Sequence, residues 1–147
     1  MTMGDFFQGE NERIVDGTHY VKYLDLNKWY YVLVPKNDNA VNDMADYNFL
    51  DKNKNDVRDD YLFMKFHEET FLLMEKYLFN FIDAECDLLI NMYEEEWIEG
   101  DNLSKTLEIT DRMINNCDND EFIELAKEFR VLVEKAVQYG TCVGCYF

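Results

Sequence analysis

Residues 18–35 read Thr18-His19-Tyr20-Val21-Lys22-Tyr23-Leu24-Asp25-Leu26-Asn27-Lys28-Trp29-Tyr30-Tyr31-Val32-Leu33-Val34-Pro35. Tyr20, Lys22, Leu24 and Leu26 alternate with Val21, Tyr23 and Asp25. Strands send successive side chains to opposite faces, so this alternation has the period of a strand. Asn27-Lys28 can form a two-residue turn, and Trp29 to Val34 is aromatic and β-branched. The stretch therefore predicts a β-hairpin, 19–26 and 29–34, closed by the single proline of the chain, Pro35.

The far end of the chain is strand-prone as well. Thr141-Cys142-Val143-Gly144-Cys145-Tyr146-Phe147 is short and apolar and is expected to return beside the hairpin. Between the two lie helical patterns. Residues 61–99 place Phe71, Met74, Leu78, Phe81 and Ile82 on one side and read as a largely buried helix, with a break near Asp83. Residues 102–117 form a further helix facing inward with Leu103, Thr106, Leu107, Thr110, Met113, Ile114 and Cys117, capped by Asp101 or Asn102. Residues 119–139 form another. Asp118 with Glu121 resembles a capping box, Phe122, Ala126, Phe129, Val133, Ala136 and Val137 make the core stripe, and Gly140 ends it. Residues 36–60 hold six Asn and seven Asp and read as a long polar loop with one helical turn near Asn42 to Phe49. The fold class expected is α+β: a small antiparallel-rich sheet, N-terminal hairpin plus C-terminal strand, packed against three to four helices in one domain, 1–147. Residues 1–17 are polar and are expected to be partly flexible.

The 147 residues carry 31 acidic and 14 basic side chains, a formal charge of -17. Hydrophobic residues make up 48%, too many for a disordered acidic tail. The charge excludes the basic footprint that nucleic-acid binding needs and opposes attachment to anionic lipid. The N-terminus lacks a basic region followed by an apolar run, and the longest apolar segment, Phe71 to Ile82, is too short to span a bilayer. The protein is therefore expected in the cytoplasm, with no membrane contact. Its four cysteines, Cys86, Cys117, Cys142 and Cys145, then read as core thiols.

Motifs for chemistry are sparse. Asp51-Lys52-Asn53-Lys54-Asn55-Asp56 begins like a calcium loop, but Asp56 stands where glycine is needed and Leu62 where the bidentate acid is needed. His67-Glu68-Glu69-Thr70-Phe71 begins like a zinc-protease helix, but Phe71 replaces the second histidine. Cys142 and Cys145 are better read as packing residues than as half a zinc site or a redox pair. The single serine, Ser104, lies inside a predicted helix, with no glycine elbow around it. No enzyme activity, cofactor or metal is expected.

The charge is uneven: residues 61–100 carry -8 of the -17. Its densest piece is Tyr93-Glu94-Glu95-Glu96-Trp97-Ile98-Glu99-Gly100-Asp101, carboxylates around an indole at an expected helix C-terminus. A solvated acidic surface would carry the same pattern. As a docking face, its carboxylates would steer a basic partner and its rings would anchor it. Small size, ample core, strong negative charge and missing catalytic motifs together predict a protein-binding inhibitor that neutralises a cognate toxin or effector. Bacterial immunity proteins act in this manner, and the target expected is basic, such as a nuclease. The partner-binding residues expected are Tyr93, Glu94, Glu95, Glu96, Trp97, Glu99 and Asp101, with the 36–60 loop as a second surface. The alternatives are a phage-type nucleic-acid mimic that inhibits a defence enzyme, and an acidic chaperone or adaptor for a secreted effector.

Overall fold

The computed structural model describes residues 28–91 and 95–147. The stretch 1–17 and the first strand of the expected hairpin, 19–26, lie outside the described residues. In chain order the first elements are β1 (Tyr30–Pro35), α1 (Asp38–Ala45), β2 (Tyr61–Phe66) and α2 (Glu68–Met74). A π-helical turn (Glu75–Phe79) leads on into α3 (Asn80–Cys86). There follow β3 (Glu95–Ile98), α4 (Asp101–Asn116), α5 (Asp120–Tyr139) and β4 (Val143–Tyr146).

The four strands form one antiparallel sheet in the order β2-β1-β4-β3. The fold is α+β, and the C-terminal strand returns beside β1 as expected, with Tyr31 opposite Tyr146 and Leu33 opposite Gly144. On its other side β1 pairs with β2, from Tyr30 opposite Phe66 to Pro35 opposite Tyr61. The two-residue strand period sorts the side chains between two cores. Tyr30, Val32, Val34, Met64, Phe66, Ile98, Val143, Cys145 and Phe147 point into the larger one, under the helices. Leu33, Tyr61, Cys142 and Tyr146 point into a smaller one, closed by Ala40 and Met44 of α1 and by Phe49. Phe147 joins sheet to helices in the larger core: its ring lies 4.9 Å from that of Phe71, 5.6 Å from Phe79 and 5.8 Å from Tyr30.

The helix expected over 61–99 is corrected by the structure. Residues 61–66 and 95–98 are strands, and among the described residues of this stretch only Glu68 to Cys86 is helical. The reason is an apolar side chain on the solvent face of β2. Leu62, Met64 and Phe66 pack on the larger core and Tyr61 on the smaller one, while Phe63 is 41% exposed beside the exposed Lys65. Phe63 hides the two-residue period in the sequence. The helix does not break at Asp83 but ends at Asp87, which takes a left-handed conformation.

Residues 36–60 are more ordered than a loop. Asn37 caps α1, its Oδ1 accepting from the Ala40 amide at 2.8 Å, and Leu50 bridges Val57. Arg58 ties the segment together, donating to Asp43 at 2.9 Å, to Asp60 at 2.6 Å and to the Asn48 carbonyl at 2.8 Å. In α5 the cap is Asn119, not Asp118, its Oδ1 accepting from the Phe122 amide at 2.9 Å. Gly140 closes α5 at φ +70°. Phe122, Ala126, Phe129, Val133 and Ala136 are buried as expected, while Val137 is exposed.

Candidate functional site

Residues 95–98 of the acidic segment are a strand at the sheet's rim. β3 pairs with β4, Glu95 opposite Tyr146 and Ile98 opposite Val143. Glu95 and Glu96, expected at a helix C-terminus, are therefore on a strand. Tyr93 and Glu94 lie outside the described residues. Asp101 is exposed in the first turn of α4, where a negative charge suits the helix N-terminus. Glu99 is exposed just before Gly100, which turns the chain at φ +60°.

Strand alternation places Trp97 on the side of the smaller core and Ile98 on the side of the larger one. Trp97 is half-buried. Its Nε1 donates to Tyr146 Oη at 3.0 Å, and Tyr146 Oη donates to the Met44 carbonyl at 2.9 Å. The indole is thus part of a relay that ties β3 and β4 to α1 rather than a free anchor.

Glu95, Glu96, Trp97 and Glu99 line one groove of about 420 Å³ together with Ala45. The floor residue and the adjoining ring come from α1 and the turn after it. Tyr47 donates its hydroxyl to Glu95 Oε1 and stands edge-on to Tyr146 at 5.5 Å. Tyr47 is 63% exposed, and it takes φ +60° where helix ends favour glycine. The Tyr47 amide donates to the Met44 carbonyl at 3.0 Å and the Asn48 amide to the Asp43 carbonyl at 2.8 Å, which closes α1. The two surfaces expected from sequence, the acidic segment and the 36–60 segment, therefore meet at this groove. Ala45 and Tyr47 were not among the expected site residues. Tyr47 is 48 positions from Glu95, and no local pattern in the sequence links them.

No family model matches this chain, and neither a curated protein nor a solved structure is significantly similar to it.

Glu96 reaches beyond the groove. Its Oε2 accepts from the Leu89 amide at 2.9 Å and its Oε1 from the Trp97 amide at 3.2 Å. The next amide in the segment, that of Ile90, donates to Asp83 Oδ1 at 2.9 Å. Burial raises Asp83 from 3.8 to about 6, against the Ile90 hydrogen bond that favours its charged form; Glu96 and Glu75 push it further up.

The remaining motifs are absorbed into the fold. Cys142 and Cys145 are free thiols in the two different cores, on opposite faces of the sheet. Burial pushes Cys142 up to about 12, with Glu99 adding to it. Burial, followed by Asp83 and Glu96, pushes Cys145 higher still. His67 precedes α2 and stacks on Trp29 at 3.9 Å, its Nδ1 2.8 Å from the Lys28 carbonyl. Asp51 spends its Oδ1 on the amides of Asn53 and Asn55 at 3.1 and 3.0 Å, the signature of an Asx turn. Among the described residues no three His, Cys, Asp or Glu side chains are grouped to hold a metal. No helix among them is long and apolar enough to cross a membrane.

Proposed function

We propose that this chain is a protein-binding inhibitor that neutralises a basic partner, a toxin or effector acting in the cytoplasm, through the acidic groove beside β3. The observation that carries this reading is the convergence of Glu95, Glu96 and Glu99 with Trp97, Ala45 and the exposed Tyr47 ring around one concave surface. Carboxylates steer and orient a cationic surface, and an aromatic ring beside them offers a face to an arginine or lysine side chain. Glu95 is held by Tyr47 and Trp97 by Tyr146, so less side-chain ordering falls on binding. The rest of the acidic surface strengthens the long-range field without setting the contact.

The test compares the wild-type chain with a Glu95→Gln, Glu96→Gln, Glu99→Gln variant whose fold is checked by circular dichroism. Each serves as bait at low salt in cells that express the chain, with elution at high salt and mass spectrometry. The expected result is one stoichiometric basic protein on the wild type, with affinity for the variant lower by at least about tenfold. That protein should also be toxic when expressed alone and harmless beside the wild-type chain. Equal capture by both baits removes the groove from the reading. A partner that is neither basic nor toxic removes the neutraliser.

A further inference from the structure

We infer that β2 is a self-association edge: two copies of this chain pair their β2 strands antiparallel about a two-fold axis, with Phe63 at the centre. β2 ends the sheet order β2-β1-β4-β3, and among the described residues no strand lies beyond it. Its ladder with β1 fixes which backbone groups face outward. The Lys36 amide donates to the Asp60 carbonyl at 3.0 Å, one step past Pro35 opposite Tyr61. Antiparallel pairs alternate between bonded and non-bonded, so Leu62, Met64 and Phe66 turn their N–H and C=O groups to β1. Tyr61, Phe63 and Lys65 turn theirs outward. The Arg58 carbonyl takes the Tyr61 amide at 3.3 Å. The backbone groups of Phe63 and Lys65 have no partner on that side among the described residues.

Sheets guard such an edge with charges, proline or a bulge. The one charge on β2 is Lys65, whose Nζ leans over the Trp29 ring, 4.4 Å from its centre. Phe63 beside it is exposed. A second copy matches this edge in both shape and charge. Of the two rim strands, β3 carries Glu95 and Glu96, whereas β2 carries no carboxylate, so two chains of charge -17 approach at least cost along β2. The ends of β2 also differ in sign. The exposed Asp59 lies in the turn that enters the strand and the exposed Lys65 near its far end, and neither is in an ion pair among the described residues. A two-fold axis therefore sets Asp59 of each copy toward Lys65 of the other. With Phe63 of one copy opposite Phe63 of the other, the two exposed rings cover each other. The two Phe63 residues then exchange both of their backbone bonds, and each Lys65 amide donates to a Tyr61 carbonyl across the seam. The two sheets become one continuous sheet. The acidic groove lies at the opposite edge, on β3, so it stays open in both copies and the pairing does not depend on it.

Sedimentation equilibrium at physiological ionic strength, over a range of protein concentrations, reads the association, and amide hydrogen exchange by NMR reads its place. The expected result is a monomer–dimer equilibrium without larger species, because a two-fold axis uses up the edge. Protection of the Phe63 and Lys65 amides should rise with concentration while the β3 amides stay unchanged. Phe63→Lys, with its fold checked by circular dichroism, should weaken the dimer at least about tenfold. Asp59→Lys and Lys65→Asp should each weaken it, and the double variant should recover most of the loss, which a purely local effect on folding would not do. A chain that stays monomeric at the concentrations used for NMR overturns the pairing. So does a dimer whose Phe63 and Lys65 amides exchange as they do in the monomer, or one indifferent to Phe63→Lys. Open-ended assemblies would contradict the two-fold axis. If Phe63→Lys does not fold, the charge reversal decides: a double variant no better paired than the single ones sinks the proposal.

Discussion

One hydroxyl joins three elements on the smaller core. Tyr146 Oη on β4 accepts from the Trp97 indole on β3 and donates to the last turn of α1 at Met44. Burial raises its titration point well above the usual tyrosine value, so it remains a neutral donor. Removing it leaves the half-buried indole N–H short of its partner, while the Met44 carbonyl keeps the Tyr47 amide. Tyr146→Phe is expected to cost about 1–3 kcal/mol in urea unfolding, more than a surface tyrosine would. The thiols make a second residue-scale expectation. Cys142 and Cys145 are buried and held protonated, while Cys117 is half-buried. Iodoacetamide at pH 8 should alkylate Cys117 first and reach Cys142 and Cys145 only on unfolding, as read by peptide mapping. Equal labelling of all thiols in the native state would contradict the two-core placement.

At the scale of elements, helix ends and the segment after α3 decide the marginal stabilities. Asn119 holds the start of α5, the longest helix described, through its bond to the Phe122 amide. Asn119→Ala should lower stability by about 1 kcal/mol, whereas Asp118→Ala, at the residue that sequence spacing favoured as cap, should change it by only a few tenths. The Asp83 carboxyl gives a pH signature to the same region. Its folded value lies above its ordinary one, so its contribution is fully present below pH 3.8 and is lost as pH rises to about 6. Stability measured by thermal or urea unfolding should carry a downward component across that window, at most about 1.4 kcal/mol per pH unit. Asp83→Asn should remove that component and leave the variant the more stable protein above pH 6. A wild type and variant that run parallel from pH 4 to 7 would contradict the assignment.

Over the whole molecule, a charge of -17 surrounds two apolar cores. Self-repulsion of this size is screened by salt, whereas the cores are nearly indifferent to moderate sodium chloride. Raising salt from 20 to 300 mM is expected to raise the melting temperature by a few degrees, on the order of 1 kcal/mol. A melting temperature that falls instead would mean that the ion pairs of Arg58, and those of Arg130 with Asp111 at 2.5 Å and Glu134 at 3.3 Å, outweigh the repulsion. The same field extends the reach of the β3 groove, whose carboxylates are only part of the total.

Several features were legible in the residues alone. The aromatic and β-branched run before Pro35 is a strand, the apolar stripes of α4 and α5 are helices within a residue or two, and the C-terminal run returns to β1. Each has a strong local period or a clear end signal, which is physics contained within a dozen residues. Residues 61–66 and 95–98 were not legible as strands. The exposed Phe63 hides the alternation of Leu62, Met64 and Phe66, and four residues of an edge strand carry too little pattern against a neighbouring helix signal. The acidic segment was visible by composition, but its setting was not. Only folding brings Tyr47 and Ala45 to Glu95, and Asp83 to the amide beside the one that Glu96 holds. Those meetings depend on how the chain crosses the sheet, and pairings between residues far apart leave no periodic trace in the sequence that makes them.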